Sequence, residues 1–468
     1  MSSTAQGSWS ELLRGRNGLR SLALAGGVAL HATNIFIVTT ILPTVVQDIG
    51  GLDYYAWNTT LFVVASILGS AGSSAIMDRL GLRNTFLLAM LVFAVGTMMC
   101  GLAGSMPALL AGRTVQGLGG GMLLSMSYSS VRAVFAPQLW SRAMVLISSM
   151  WGVSTLSGPA IGGIFADLGE WRWAFWSVLP AVVILAIIVF TQVAPGRLPG
   201  AAKHSVPLGR IATLALSVMV VSTASLSPSY AINALGVAAS VVLTVLMARF
   251  DHRSAHPLFP TGAYSIRLPL GSLYAAICLL SLGVTTEVYV PYFLQTLHDL
   301  SPLVAGYWAA LMSAGWTLGA FISSGRSYTT INRLLVVGPL VSAAALFCLA
   351  VLMPGTFVAV PSWFMVPVLI CVGVGVGLCW PNLLTRVFIS APKGQENMAS
   401  AAITTLQLYA MAMGAALSGM LTNAAGMANP GGIEGARQAA FVLFVVFALA
   451  PALVVVTGGA GRRVPPAA

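Results

Sequence analysis

Charge is what this sequence lacks most. Only 7% of its 468 residues are charged and 57% are hydrophobic. A soluble domain carries about a quarter charged residues, so the composition excludes an ordinary soluble protein and predicts one that crosses a membrane several times. The five cysteines lie singly in apolar runs, which favours buried thiols over a disulfide framework.

Signals for a cofactor are also missing. The sequence contains no G-x-x-x-x-G-K-[ST] string, and the glycines from Gly117 to Gly121 follow no predicted strand, so no nucleotide or other cofactor is predicted. His252 and His256 have the spacing of a metal pair, but they lie in a polar, proline-containing segment without further ligands. We predict neither a metal site nor enzymatic activity.

The net charge of +11 raises the question of nucleic-acid binding, but the distribution of the basic residues answers it differently. Reading the apolar runs from a cytoplasmic N-terminus, all but three of the 22 Lys and Arg fall on the cytoplasmic side. Arg113 lies within a run, and Arg172 and Arg437 fall outside. This asymmetry is the positive-inside rule. It predicts a multi-pass inner-membrane protein, partnered by the lipid bilayer and not by nucleic acid, with both termini in the cytoplasm.

Apolar runs of the length that a bilayer requires, about 20 residues, predict the fold. Residues 1–193 form an N-terminal six-helix bundle, with spans at 19–46, 57–77, 85–105, 107–133, 142–166 and 173–193. Residues 269–468 form a second, with spans at 269–294, 302–324, 334–353, 361–385, 398–424 and 438–458. The connector 194–268 holds two more, 206–226 and 231–250, which predict a helical hairpin.

We therefore predict an all-α membrane protein of 14 transmembrane helices: two six-helix bundles with a two-helix insertion between them. A chain of 12 spans with an amphipathic connector is the alternative, because Arg210 lies near one end of the hairpin. Two six-helix halves also predict an internal repeat.

Arg113 and Gln116 place a permanent cation and an amide about one helical turn apart inside an apolar run. An arginine in hydrocarbon is costly unless it faces water or a partner, so it marks a transport or proton pathway by default. We expect Arg113 to line a cavity.

Asp78, Arg79, Gly81 and Arg83 lie in the loop between the second and third predicted spans. A carboxylate there can pair with neighbouring helix N-termini or arginines in one conformation and release them in another. This string resembles the cytoplasmic loop signature of the major facilitator superfamily, G-x-L-x-D-R-x-G-R-K. The resemblance implies two rocking bundles with these four residues as a conformational switch.

Two further strings narrow the resemblance. L-x-x-x-R-x-x-Q-G-x-G, with Arg113 as its cation, is similar to the fourth-helix signature of that superfamily's drug:proton antiporters, which implies a role for Arg113 in proton relay. G-P-A-I-G-G, containing Gly158, Pro159 and Gly162, resembles their antiporter signature. Proline and glycine bend a helix and permit close approach, which suits a rocking interface, although simple packing explains glycines equally well.

The string W-R-W-A-F beginning at Trp171 resembles the opening of span six in the fourteen-span branch of these antiporters. That branch usually has an aspartate in span one, where this chain has Asn34. The one acid left well inside a span is Glu287, at a depth comparable to that of Arg113. His31, one turn before Asn34, could titrate near neutral pH, although a satisfied hydrogen-bonding group is the plainer interpretation.

Polar, methionine and aromatic side chains of several spans are candidates for an adaptable substrate pocket. They are Asn34, Gln116, Met122, Trp151, Tyr292 and Trp380. Lipid-facing packing is the alternative for any one of the apolar members.

These observations predict a secondary active exporter of amphipathic or hydrophobic compounds, of the multidrug type, driven by proton influx through alternating access. Small molecules and protons are the expected partners, and we expect a monomer. Because Asn34 replaces the first-span acid, an exporter of one metabolite or a carrier without proton coupling is the alternative. A transporter-like receptor or scaffold is a third interpretation, disfavoured by Asp78 and Arg113.

Overall fold

The structure is a computed structural model that describes residues 8–195, 207–254, 256–356 and 361–464. Within these ranges it consists of α-helices joined by turns and short 3-10 segments, with no β-strand. In chain order the helices are α1 (Trp9–Leu13), α2 (Gly15–Ile49), α3 (Trp57–Leu80), α4 (Leu82–Gly101), α5 (Met106–Ser129), α6 (Val131–Val134), α7 (Trp140–Asp167), α8 (Trp171–Trp176), α9 (Leu179–Gln192), α10 (Leu208–Ala224), α11 (Tyr230–His252), α12 (Pro269–Val284), α13 (Val290–His298), α14 (Pro302–Ser323), α15 (Tyr328–Leu352), α16 (Met365–Ser390), α17 (Glu396–Ala424), α18 (Gly432–Thr457) and α19 (Gly459–Arg462).

The prediction of an all-helical membrane protein is confirmed. Among the described residues, 11 helical runs are long and apolar enough to cross a membrane. Three predicted spans, those at α5, α10 and α14, are helical but lie outside this set. α10 has only 17 residues, while α5 and α14 have 24 and 22 and are rich in residues of low hydropathy. The count of 14 stays a prediction. The basic flank of the connector around Lys203 lies outside the described residues.

Local sequence explains where these helices begin and end. Gly81, with φ of +77°, separates α3 from α4 in a conformation that glycine adopts without strain. The hydroxyl of Ser301 accepts a hydrogen bond from the Val304 N–H at the start of α14, where Pro302 occupies the first turn. Glycine and proline in apolar sequence therefore divide the chain into spans.

One predicted span is broken. The run 269–294 was expected to form a single helix, but α12 ends at Val284, Thr285–Val288 form a 3-10 turn, and α13 begins at Val290. Pro291, in the first turn of α13, has no N–H to continue the preceding helix. Glu287 lies in this break.

The chain packs as two units. The first extends to Ile211 but omits Gly51–Thr60, and the second comprises Gly51–Thr60 together with Ala212 onward. The connector helices α10 and α11 contribute Leu214 and Met247 to the hydrophobic core of the second unit.

In the first unit, glycines of α5 meet the backbone of α3. A Cβ atom on Gly117 would lie 2.9 Å from the Cα of Phe62, and one on Gly121 would lie 2.5 Å from the Cα of Ser66. The Ser66 hydroxyl donates to the Gly117 carbonyl at 3.0 Å. Only glycine permits this approach, because any side chain would strike backbone atoms.

The second unit repeats this arrangement. A Cβ atom on Gly373 of α16 would lie 2.7 Å from the Trp316 nitrogen of α14, and one on Gly377 would lie 2.8 Å from the Ala320 nitrogen. In each half, therefore, two glycines four residues apart on the fourth span pack against the second span. This correspondence supports the internal repeat that the two six-helix halves predict.

Candidate functional site

The first unit buries Arg113 among amides. Its side chain is 1% exposed. Nη1 donates hydrogen bonds to the amide oxygen of Asn34 on α2 and, at 2.6 Å, to that of Gln116 on α5. The amide nitrogen of Gln116 in turn donates to the Thr97 hydroxyl of α4 at 2.8 Å. Two neutral amide oxygens, from α2 and α5, thus stabilise the cation, and Thr97 of α4 holds one of these amides in place.

Aromatic rings enclose the same cluster. The guanidinium carbon of Arg113 lies 4.1 Å from the centroid of the Phe62 ring, a cation–π contact. The ring of His31 lies 5.2 Å from that of Phe62 and 6.1 Å from that of Trp151. Both ring nitrogens of His31 are buried, and Nδ1 faces the Gly120 backbone without reaching regular hydrogen-bond geometry.

These contacts explain how a buried arginine is stabilised inside an apolar helix. The sequence singled out Arg113, Asn34 and Gln116 but did not predict that they contact one another, and it missed Phe62 and Thr97 altogether. We expected Arg113 at the wall of a cavity, whereas in this structure protein atoms enclose it. Asn34 and Gln116, predicted to contact substrate, are engaged by Arg113. Met122, further along α5, is buried.

The predicted switch residues lie together at one end of the first unit. Asp78 and Arg79 occupy the last turn of α3, and Gly81 makes the turn into α4. Asp78 is half-buried and Arg79 is exposed. The guanidinium carbon of Arg83 lies 5.0 Å from the Phe190 ring of α9. Asp78 and Arg79 thus lie at the end of α3, and Arg83 of α4 contacts α9. Small shifts of these helices could change both sets of contacts.

The antiporter-like string of α7 faces α2. A Cβ atom on Gly162 would lie 2.9 Å from the Ile37 carbonyl oxygen, and one on Gly158 would lie 3.2 Å from the Ile37 nitrogen. Pro159 lies within the helix. Beside this contact, the Thr33 hydroxyl donates to that of Ser154 at 2.9 Å. Both glycines are therefore required for helix packing, whatever further role they have.

The W-R-W string makes an ion pair that the sequence did not reveal. Arg172 contacts the Asp48 carboxylate at the end of α2 at 2.8 Å, and the indole N–H of Trp171 donates to the same oxygen at 3.1 Å. Arg172 was predicted on the outer side, and Asp48, at the end of the first predicted span, falls on the same side in that topology. Their contact accords with that placement and fixes α8 to α2.

A second buried arginine was also missed. Arg386 was counted among the cytoplasmic cations, but it is 4% exposed. It donates to the amide oxygen of Asn332 at 2.7 Å and to the Gly461 carbonyl at 3.0 Å. It therefore fixes the short α19 beneath α15 and α16. Arg386 directly follows the predicted span 361–385, where a cation is expected to face the cytoplasm, so nothing in the sequence indicated its burial near the end of α16.

In the second unit, Glu287 occupies the break between α12 and α13. Its Oε1 atom is buried and has no hydrogen-bond partner within the described residues. Burying an ionised carboxylate without a partner is costly, so this group is suited to binding and releasing a proton. Interrupted membrane helices are also the places where transporters commonly hold substrates and ions.

Tyrosines surround the start of α13. The ring centroid of Tyr55 lies 4.9 Å from that of Tyr289 and 5.4 Å from that of Tyr292. The Tyr289 hydroxyl accepts a hydrogen bond from Thr422 at 3.0 Å. Of these, the sequence had selected only Tyr292. Trp380, the other candidate of this unit, belongs to a separate pair with Trp316, at 4.7 Å.

Apolar helices enclose a buried cation in one unit and hold a carboxylate at a helix break in the other, an arrangement typical of membrane carriers. The sequence profile of the Major Facilitator Superfamily matches residues 24–415. A probable multidrug-efflux transporter of Mycobacterium tuberculosis is 35% identical over 95% of each chain. Multidrug resistance protein 3 of Bacillus subtilis is 23% identical over 85% of this chain and 78% of its own.

The chain belongs to the major facilitator superfamily. It is a multi-pass membrane transporter and not an enzyme. The same fold occurs in a bacterial homologue of the human lysosomal transporter Spinster, in an inward-facing and unoccupied conformation. That structure covers 97% of this chain and 99% of its own with a TM-score of 0.65 at 17% identity.

Proposed function

We propose that this protein exports amphipathic or hydrophobic compounds in exchange for protons, as a member of the fourteen-span branch of the drug:proton antiporters. The carboxylate of Glu287, which lies half-buried at a helix break with its Oε1 atom buried and without a hydrogen-bond partner among the described residues, is the observation that carries the proposal. The other acids of the candidate spans lie at or near helix ends. The two multidrug relatives support export of such compounds.

Glu287 would couple the proton to the conformational cycle. Protonation removes the cost of burying its charge, so the protonated and ionised forms favour different conformations. A proton taken up from the outer side and released to the cytoplasm would then drive the cycle in the export direction.

Arg113 and His31 are the other coupling residues we propose. Arg113 engages the neutral amide of Asn34, at the position where the branch usually has an acid. A first-span carboxylate therefore takes no part, and the coupling depends more heavily on Glu287. His31, buried beside Phe62, is the next candidate to carry the proton.

Substrate contacts are proposed for Asn34, Gln116, Met122, Trp151, Tyr292 and Trp380. The aromatic members lie at ring clusters with large apolar faces, which suits hydrophobic compounds without demanding one shape.

The conformational switch would comprise Asp78, Arg79, Gly81 and Arg83 with the helix contact made by Gly158, Pro159 and Gly162. The tight approach of α7 to α2 supports this assignment because a bend of α7 at Pro159 would be transmitted directly to α2.

The topology that accompanies this proposal has 14 spans, divided as residues 1–193, 194–268 and 269–468. Both termini lie in the cytoplasm, and the protein acts as a monomer in the inner membrane. α10 and α11, joined by a short turn, support the inserted hairpin.

The decisive experiment replaces the proposed proton carrier with its neutral isostere. Glu287→Gln in proteoliposomes should lose pH-gradient-driven accumulation of substrate but keep exchange down a substrate gradient, because the amide mimics a permanently protonated carboxyl. Glu396→Gln, an acid in the first turn of α17, is the matched control and should transport like wild type. Full gradient-driven accumulation by Glu287→Gln would contradict the proposal.

Asn34 favours a second candidate, a carrier without proton coupling or one dedicated to a single metabolite. The proteoliposome assay distinguishes proton-coupled from uncoupled transport. Wild-type flux that does not respond to an imposed pH gradient would favour the carrier without proton coupling.

A further inference from the structure

The two connector helices converge on one hydroxyl group of α17. The side-chain oxygens of Ser217 on α10 and Thr244 on α11 lie 3.2 Å and 2.9 Å from the hydroxyl oxygen of Tyr409. Ser217 is fully buried. In apolar surroundings such bonds are well protected, and a group that loses its partner has no water to replace it.

The hairpin also holds the far end of α17. The side-chain amide of Asn423 donates to the Ser225 carbonyl at 3.2 Å, and the Tyr230 hydroxyl donates to the Ala424 carbonyl at 3.2 Å. Tyr409 and Asn423 are separated by roughly 20 Å along the helix, at 1.5 Å per residue. The hairpin is thus attached to α17 at two levels.

Another side of α17 faces the break at Glu287. A Cβ atom on Gly414 would lie 2.5 Å from the Thr285 hydroxyl and 2.9 Å from its Cβ, so α17 and the 3-10 turn are in close contact here. Thr422 donates to the Tyr289 hydroxyl at 3.0 Å. Thr285 and Tyr289 bracket Glu287. Five residues rotate an α-helix by about 140°, so Tyr409 and Gly414 point in different directions from α17.

We propose that the connector hairpin is a buttress that holds α17 against the broken helix, and that Tyr409 is the positioning residue that joins hairpin and α17. The proposal rests on the proposed function, because it gives the two additional helices a part in placing Glu287. A 3-10 turn has poorer backbone hydrogen bonds than an α-helix, so its geometry depends on the neighbours that support it.

Hydrogen–deuterium exchange of the break tests this directly. In purified full-length protein, Tyr409→Phe removes the hydroxyl and keeps the ring. We expect amides at 285–289 to exchange about fivefold faster, the effect of losing a hydrogen bond that supports them. Tyr328→Phe is the matched control, since its hydroxyl bonds the Arg462 carbonyl and touches neither hairpin nor α17. It should leave the break unchanged.

A double-mutant cycle identifies the path. Ser217→Ala combined with Thr244→Val should raise exchange at 285–289 as Tyr409→Phe does, and adding Tyr409→Phe should change little further. If Tyr409→Phe fails to fold, the Ser217 and Thr244 variant alone decides. In transport, the maximal rate should fall several-fold at unchanged KM.

Unchanged exchange at the break, or additive effects in the cycle, would overturn the buttress. Failure of the proposed function has a different signature, namely wild-type flux without response to a pH gradient. The exchange experiment still decides the buttress in that case, because it measures the break itself.

Discussion

The Arg113 cluster makes a quantitative prediction about Gln116. This side chain is fully buried, accepts from Arg113 at 2.6 Å and donates to Thr97 at 2.8 Å. Gln116→Leu removes both bonds while nearly conserving volume, so the cavity contribution is small. A hydrogen bond to a charged group contributes about 1.5–3 kcal/mol and a neutral one about 1 kcal/mol. We therefore expect the free energy of unfolding to fall by about 2.5–4 kcal/mol.

The assay is denaturant unfolding in mixed micelles, followed by tryptophan fluorescence. Thr97→Val is the control, because it removes the bond from Gln116 and the bond to the Phe93 carbonyl but no bond to the cation, and it should cost about 1–2 kcal/mol. The difference between the two variants measures the share due to the cation.

A double variant tests the reasoning more severely. Arg113→Met with Gln116→Leu removes the cation together with one of its two acceptors. It leaves the neutral amide of Asn34 without this partner, which costs less than burying a cation that has lost an acceptor. The double variant should therefore be more stable than Gln116→Leu alone, although it should not transport. A Gln116→Leu variant within about 0.5 kcal/mol of wild type, or a double variant less stable than the single one, would refute the account.

Two further predictions concern the membrane arrangement and helix packing. A reporter fused at Pro228 should indicate the outer side and one at Arg253 the cytoplasm, because each hairpin helix is expected to span; a cytoplasmic signal at both would leave 12 spans. Gly162→Val should reduce the yield of folded protein and cost about 1–3 kcal/mol, because the added side chain must separate α7 from α2. Gly152→Val on the same helix is its control, with nothing within 4 Å of the added Cβ. Equal behaviour of the two valine variants would show that the contact at Gly162 is not limiting.

Most helices of this fold could be predicted from the sequence because local composition is enough to recognise a membrane helix. Uninterrupted apolar length marks each span, and one cation among apolar residues marked α5 before any contact was known. The string containing Gly158 and Gly162 likewise indicated close approach, and α2 is the helix it approaches.

What the sequence could not supply are contacts between distant residues. Asn34 and Arg113 are 79 positions apart, and only packing shows that one accepts from the other. In the sequence alone, the buried Phe62 cannot be distinguished from a lipid-facing phenylalanine. Pro291 is the one sequence signal near the break at Glu287, but Pro159 and Pro339 lie inside unbroken helices of the same chain, so a proline alone did not locate the break.

The backbone contacts made by glycine have a mechanical consequence. Where Gly117 and Gly121 meet α3, and where Gly373 and Gly377 meet α14, no side chains stand between the helices to rotate or repack. Sliding or separating such surfaces would expose backbone atoms and lose close packing, so each helix pair should move as one rigid unit. The movements of transport must then occur mainly at helix contacts that are less closely packed. The two rigid helix pairs are reference frames against which such movements can be measured.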